Sequence, residues 1–401
     1  MNNIKFIEGI GFIPNDWAVK KADELCSKIT KGTTPPKEDI VNNSHIPFLR
    51  VNNLTFDGVL DVNSGFIFVS EAAHRSVLSR SIAYKNDILM NIVGPPLGKT
   101  ALLNDNFDEY NLNQAIVIYR VSSVDVARLF FFFFLKSVIA QNWLQSHSKK
   151  TSGQQNLTIE VCKNLPIPIP PLPEQIKIAE ILSTWDNAIN TVQKLLTNSQ
   201  QQKKALMQQL LTGKKRFAGF EGEWEEKRLG DVCTPQQWPT ISSKDLVNNG
   251  YSVYGANGFI GYYFEYNHKN ETVAVTCRGS TCGEVSLIPE KSYITGNSMC
   301  LDDINEKKYA YRYLYYFLKN RGFNDVISGS AQPQIVGSAI RKVKVLIPSL
   351  PEQQKIAAVL TTADQEIDNL HAQLSRLEKE KKALMQQLLT GKRRVKVEEA
   401  A

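Results

Sequence analysis

Two stretches of this chain are nearly the same sequence, set 178 residues apart. PLPEQIKIAEIL begins at Pro171 and SLPEQQKIAAVL at Ser349, while KKALMQQLLTGK begins at Lys203 and returns unchanged at Lys381. Pro173 to Pro351 and Lys203 to Lys381 are both steps of 178, so the copies align without a gap. Solenoid repeats have periods of about 20–50 residues, so this spacing means a duplicated unit of one domain plus one helix. A length of 401 residues also exceeds what one hydrophobic core usually serves.

Fainter matches extend the duplication. Trp17 in PNDWAVKKADELC corresponds to Trp224 in GEWEEKRLGDVC. NIVGPPLGKT resembles CRGSTCGEV, with Gly94 on Gly279 and Gly98 on Gly283. LFFFFFLKS lines up with YLYYFLKN, Lys136 on Lys319, and SGQQNL from Ser152 lies over SAQPQI from Ser330. The offset falls from 207 to 178 along the chain, as it does when loops differ in length around a shared core.

Each strong repeat reads as a helix. Pro173-Glu174 and Pro351-Glu352 put proline in the first turn and an acid at the positive dipole end. Thr-Gly at Gly213 and Gly391 ends each helix, with Lys214, Lys215 and Arg216, or Lys392, Arg393 and Arg394, at the negative end. About 39 residues span roughly 58 Å. The apolar positions step by four and three: Ile178, Leu182, Trp185, Ile189, Val192, Leu196, Ser199, Lys203, Leu206 and Leu210. The second copy gives Ile356, Leu360, Ala363, Ile367, Leu370, Leu374, Leu377, Lys381, Leu384 and Leu388. Five heptads predict a coiled coil, most simply between the two copies. Lys203 and Lys381 interrupt the seam at equivalent points, as a register device or an exit for partner contacts does. An antiparallel pairing places one globular unit at each end of a two-headed ruler; a parallel one places both at the same end.

Composition excludes several classes. Hydrophobic residues at 42% and charged ones at 22% are ordinary for a globular chain, not a disordered or collagen-like one. A net charge of +7 favours a polyanionic partner. The N-terminus shows no secretory pattern. The apolar run Leu129–Leu135 falls far short of the roughly 20 residues of a membrane span and predicts a buried helix. Cys26, Cys162, Cys233, Cys277, Cys282 and Cys300 lack ligand spacing, so free thiols in a reducing cytoplasm are expected. No metal is expected: His45, His74, His147, His268 and His371 are scattered, without carboxylate or cysteine partners at ligand spacing.

The doubled LPEQxKIAxxL, each followed by a long helix ending in ALMQQLLTGK, resembles the specificity (S) subunits of Type I restriction–modification systems. The resemblance covers the whole chain. Trp224 to Val232 and YGANGFIGYY (Tyr254–Tyr263) are similar to that family's target-recognition domains, whereas AVKKADELC after Trp17 departs from the usual opening. The resemblance implies an α/β fold of two tandem target-recognition domains separated by a pair of long antiparallel coiled-coil helices. The expected division is residues 1–170 and 217–348 for the domains, 171–216 and 349–394 for the spacer helices, and 395–401 for a tail. It implies a cytoplasmic, non-catalytic subunit whose domains each read half of a split, asymmetric double-stranded DNA site. It also implies two methyltransferase subunits docked on the helices. S-adenosylmethionine would belong to those partners and not to this chain, and ATP-dependent restriction subunits are possible further partners.

Base reading needs Arg, Lys, Asn, Gln and small hydroxyls at loop or helix ends. In the first domain these are Arg50, Asn52, Asn53, Lys99, Thr100, Lys149, Lys150, Gln154, Gln155 and Asn156. In the second they are Tyr254, Asn257, Arg278, Ser280, Thr281, Asn297, Ser298, Gln332 and Gln334. Tyr311–Phe317 could suggest base stacking, but its alignment with Phe130–Phe134 predicts a packed helix. GPPLGKT has three residues between its glycines where a P-loop has four, so a strand–turn is expected. Two other classes stand beside the recognition subunit. One is a fused restriction–modification enzyme cut down to its recognition part; the other is a coiled-coil scaffold without DNA specificity.

Overall fold

A computed structural model describes residues 4–42, 44–61, 64–151, 154–329 and 332–397. The chain packs as two compact units, Met1–Thr191 with Leu374–Ala401, and Val192–Gln373. Two unbroken 39-residue helices, Leu172–Leu210 and Leu350–Leu388, each contribute one half to each unit. The fold is the expected one, a tandem repeat of mixed helix and sheet built on a long helix pair.

In the first unit, residues 172–191 lie against 374–388. Lys381 pairs with Asp186, and Arg394 pairs with Glu174. Moving back along one helix thus moves forward along the other, so they run antiparallel. In the second unit the same relation holds between Lys203 and Asp364, and between Arg216 and Glu352. Every expected seam position is buried or half-buried in its own unit. Ile178, Leu182 and Leu388 enter the first core; Leu210, Ile356 and Leu360 enter the second. Because these seam residues fill domain cores, packing does not set the helices apart as separate segments. The tail is likewise not all solvent: Val395 packs against the first core.

The two seam lysines act as register pins. Lys381, 8% exposed, binds Asp186 across the seam with its ammonium over the Phe133 ring. Lys203 binds Asp364 over the Tyr316 ring, and Tyr316 Oη donates to the same carboxylate at 2.7 Å. A one-residue slip would bury each charge without its partner.

Residues conserved between the copies form a clasp at each helix start. Gln175 Oε1 accepts from Ala127 N–H at 2.8 Å, and its Nε2 donates to the Asp125 and Pro170 carbonyls, both at 2.8 Å. Gln353 repeats the set on Ala310 N–H, Lys308 O and Pro348 O at 2.9, 3.1 and 2.8 Å. Glu352 and Glu174 are fully or almost fully buried, and each accepts a two-pronged Arg from beyond the Thr-Gly turn. Gly213 and Gly391 have φ of +71° and +69°, the left-handed cap that turns the chain towards that clasp. Gly391 lies so close to Trp17 and Pro14 that a side chain would collide.

Each unit has a four-stranded antiparallel sheet with the same strand order. In the first it runs Thr100–Leu102, Ile88–Asn91, Ile116–Val121, Cys26–Lys31. In the second it runs Val285–Ile288, Thr272–Thr276, Ser298–Asp302, Thr234–Gln237. Helices Arg128–Lys136 and Tyr311–Arg321 are the aromatic runs. Phe130–Leu135 and Tyr313–Leu318 are buried, each large side chain contributing about 1.5–3 kcal/mol. The stacking alternative for the tyrosines therefore falls. No helix among the described residues is long and apolar enough to cross a membrane.

The divergent opening after Trp17 still folds like its copy. Ala18–Lys21 pairs with Pro166–Ile169, and Glu225–Arg228 pairs with Lys344–Ile347. Lys21 N–H donates to Glu24 and Arg228 N–H to Asp231, three residues on in both cases.

Candidate nucleic-acid interface

The glycine-containing loops sit at a strand end in each unit, and the amide-rich segments pair with them. In the first unit, Val93 and Gly94 face Asn156 and Gln155, while Lys149 and Lys150 face Asn156 and Gln155 from the other side. A three-stranded ribbon thus gathers the basic and amide residues expected there. In the second unit, Arg278 forms a bridge with Gln334, and Gly279 N–H donates to Pro333 O at 3.2 Å. The flanking contacts correspond as well: Leu157 N–H donates to Ile92 O at 2.8 Å, Ile335 N–H to Cys277 O at 2.9 Å. Of these segments, Ser152, Gly153, Ser330 and Ala331 lie outside the described residues, as do the side chains of Lys150 and Gln154.

The first loop is held from beneath. Asn91 Nδ2 donates to Val93 O and Pro96 O at 3.1 and 2.8 Å, and its Oδ1 accepts from Lys99 N–H at 2.9 Å. The GPPLGKT segment is therefore a strand, a turn containing the cis bond between Pro95 and Pro96, and a strand, as expected in place of a P-loop. Thr55 bridges Thr100, bringing the segment after Arg50 and Asn52 to the same edge. Asn52 is exposed and Arg50 half-buried at the end of strand Pro47–Leu49.

In the second unit the loop Cys277–Gly283 meets the tip of the hairpin Tyr251–Gly255 and Gly258–Tyr263. Thr281 Oγ1 donates to Ala256 O at 3.0 Å and lies 3.1 Å from Asn257 Oδ1, and Thr276 Oγ1 donates to Ala256 O at 3.2 Å. Gly279 and Gly283 both need left-handed backbone, φ +93° and +92°. Gly98 matches at +95°. Asn257, Arg278, Ser280, Thr281 and Gln334 thus share one rim, while Tyr254 is half-buried against the cluster of Ala274, Ile288, Ile294 and Cys300. Gln332 is exposed beside it, and Asn297 lends its carbonyl to Cys277 N–H.

Three expected contacts are corrected. Asn53 is fully buried, its amide spent on Arg50 N–H, Ser64 Oγ and Gly65 O. Thr100 is fully buried and Ser298 is 4% exposed. All three sit on the inner side of their strand or turn, so they support the rim instead of reaching a base.

Some rim residues escaped the sequence reading. Gln237 is exposed at the end of its strand, with Nε2 donating to Gly296 O at 2.6 Å. Phe259, Ile260 and Tyr262 project from the hairpin at 51%, 44% and 37% exposure. The resemblance carried by YGANGFIGYY marked this segment, but not which of its faces remains open. The chemistry of both rims is that of amide, guanidinium, ammonium and hydroxyl groups, which match base edges and phosphates.

A family described as "Type I restriction modification DNA specificity domain" matches residues 14–198 and again 221–379. The putative type I restriction enzyme MjaX specificity subunit of Methanocaldococcus jannaschii is 24% identical, over 96% of this chain and 96% of its own. The MjaVIII specificity subunit of the same organism is 26% identical, over 98% and 96%. The S subunit structure from M. genitalium superposes with a TM-score of 0.66 at 19% identity, covering 97% of this chain and 98% of that one. The chain therefore belongs to the DNA specificity family of type I restriction–modification systems, whose members are recognition subunits without a catalytic site.

Proposed function

We propose that each unit reads one half of a bipartite, asymmetric double-stranded DNA site, and that the length of the helix pair sets the unread gap. The observation that carries this reading is the duplicated pairing of a glycine loop with an amide-rich segment, Gly94 with Gln155 and Arg278 with Gln334. Two such rims of similar backbone but different side chains suit two half-sites of different sequence. In the first unit we assign contacts to Arg50, Asn52, Lys99, Lys149, Lys150, Gln154, Gln155 and Asn156. In the second we assign them to Tyr254, Asn257, Arg278, Ser280, Thr281, Asn297, Gln332 and Gln334. Two methyltransferase subunits, carrying S-adenosylmethionine, dock on the helices, and restriction subunits complete a nuclease where they are present. A related chain comes from work on "complex assembly" and "conformational transition" of the type I R-M system; it matches with a TM-score of 0.57.

Methylome sequencing of a host carrying the subunit and its methyltransferase tests the reading. A split, asymmetric methylated motif is expected; a continuous motif, or none, would refute it. The gap is tested separately. Seven residues added at equivalent points of both helices lengthen them by about 10 Å, near three base pairs. An unchanged gap would remove the ruler.

A further inference from the structure

We propose that the second unit carries a divalent-metal site, of the kind that takes zinc, formed by His268 Nε2, Asp302 Oδ1 and Cys300 Sγ. The three ligand atoms lie within 4.8 Å of one another. Cys300 and Asp302 are alternate residues of strand Ser298–Asp302, so both project from one face. His268 follows the hairpin in the segment that leads to strand Thr272–Thr276 and is 8% exposed.

The surrounding hydrogen bonds turn Nε2 of His268 and Oδ1 of Asp302 towards each other. Asn267 Oδ1 accepts from Ile294 N–H at 2.8 Å while its Nδ2 donates to Ile294 O at 2.9 Å. Flipping that amide would break both bonds, so Oδ1 faces His268. Nδ1 of His268, 2.7 Å from Oδ1, must therefore be the protonated nitrogen. In the neutral ring this turns a bare Nε2 lone pair onto Asp302 Oδ1 at 3.0 Å. Two acceptors at that distance require a positive species, either a second proton or a metal ion. The other carboxylate oxygen is held by Trp238 Nε1–H at 3.0 Å. A ring nitrogen whose opposite N–H is anchored, beside a carboxylate whose far oxygen is anchored, is the outer support that metal ligands receive.

Cys300, buried beside Ala274, Ile288 and Ile294, brings a sulfur to the same place, and nitrogen, oxygen and sulfur together suit zinc or its surrogate cobalt. His268 and Asp302 border a cavity of about 500 Å³, also lined by Trp238 and Glu271, through which an ion and a water as fourth ligand can enter. A cysteine ligates as thiolate, so binding releases the thiol proton to solvent and affinity rises with pH. Bound metal would tie the segment after the hairpin to the sheet beneath the candidate DNA rim.

The test is titration of the purified full-length chain with cobalt(II) alone. One equivalent with a near-ultraviolet thiolate-to-cobalt band is expected, displaced by zinc, tighter at higher pH and lost in Cys300→Ser. Asn267→Ala, which removes only the outer support, should weaken binding about 10–100-fold. Wild-type chain of normal circular dichroism that gives no such band would overturn the proposal, as would a band that survives Cys300→Ser. Zinc should also raise the melting temperature of wild type but not of His268→Asn; equal shifts would count against the site.

Discussion

The two units share a frame and differ in what they hang on it. Both have the same sheet order, the same aromatic helix, the same glutamine clasp and the same buried glutamate–arginine pair. Beyond the frame, the first adds a five-stranded sheet, Ile40–Val41, Ile67–Val69, Pro47–Leu49, Glu109–Leu112 and Ala83–Tyr84. The second adds a three-stranded one around the hairpin Tyr251–Tyr263. Duplication has preserved the residues whose partners are buried backbone and charge, together with the partly exposed KKALMQQLLTGK of each helix, and the units diverge in the sheets added to the frame.

The largest expected effect sharpens the frame comparison. Arg216→Ala leaves the Glu352 carboxylate buried without a partner and should give the largest loss of stability in denaturant unfolding. Arg394→Ala in the first unit strands Glu174, whose side chain is 3% exposed, and also releases Asp16, so its loss should be comparable. A much smaller loss would show that the two clasps are not equivalent. Next, Gln353→Ala and Gln175→Ala each orphan buried backbone groups, at up to about 3 kcal/mol. Their geometries match, so the two losses should agree; a clear difference would break the equivalence of the units.

Much of the frame was legible in the sequence, and the reason is periodicity. Heptad spacing reports on burial, and burial along the helices followed it at every seam position. Lys203 and Lys381 were visible as interruptions, but their acids, Asp364 and Asp186, are 161 and 195 residues away and could not be assigned. The same limit hid His74, whose ring lies between Asn111 and Glu109, and His268, which meets Asn267, Asp302 and Cys300. Spacing along the chain finds ligands only when the turn that joins them is local. At the rims, residue type was informative and direction was not. Asn53, Thr100 and Ser298 have suitable chemistry but point inward.

Smaller effects probe the divergent surfaces. Arg278→Ala should weaken readout of one half-site by about 1–3 kcal/mol and leave the other unchanged, measured by binding of the methyltransferase complex to duplexes altered in one half at a time. Loss at both halves would mean the rims are not independent readers. The smallest effect is acid sensitivity of the first unit's added sheet. The Arg75 guanidinium, and to a lesser degree His74, hold the Glu109 carboxyl below its usual range against the opposing cost of burial. Its folded value is depressed, so its stabilisation is present above the ordinary carboxylate range and lost as pH falls through the depressed value. Hydrogen exchange at Glu109–Leu112 should quicken on acidification before that of the hairpin Tyr251–Tyr263. Simultaneous loosening would assign the acid response to the shared frame.

The halved helices also impose an order on biogenesis. The second unit is one continuous stretch, Val192–Gln373, whereas the first needs Leu374–Val397 to supply Lys381, Leu388 and Arg394 to groups made long before. On the ribosome, where chains emerge at about 5–20 residues per second, the earlier-made reader waits unfinished while the later-made one closes. A message cut short before Leu374 would thus release a protein with one closed unit and one unclosed core.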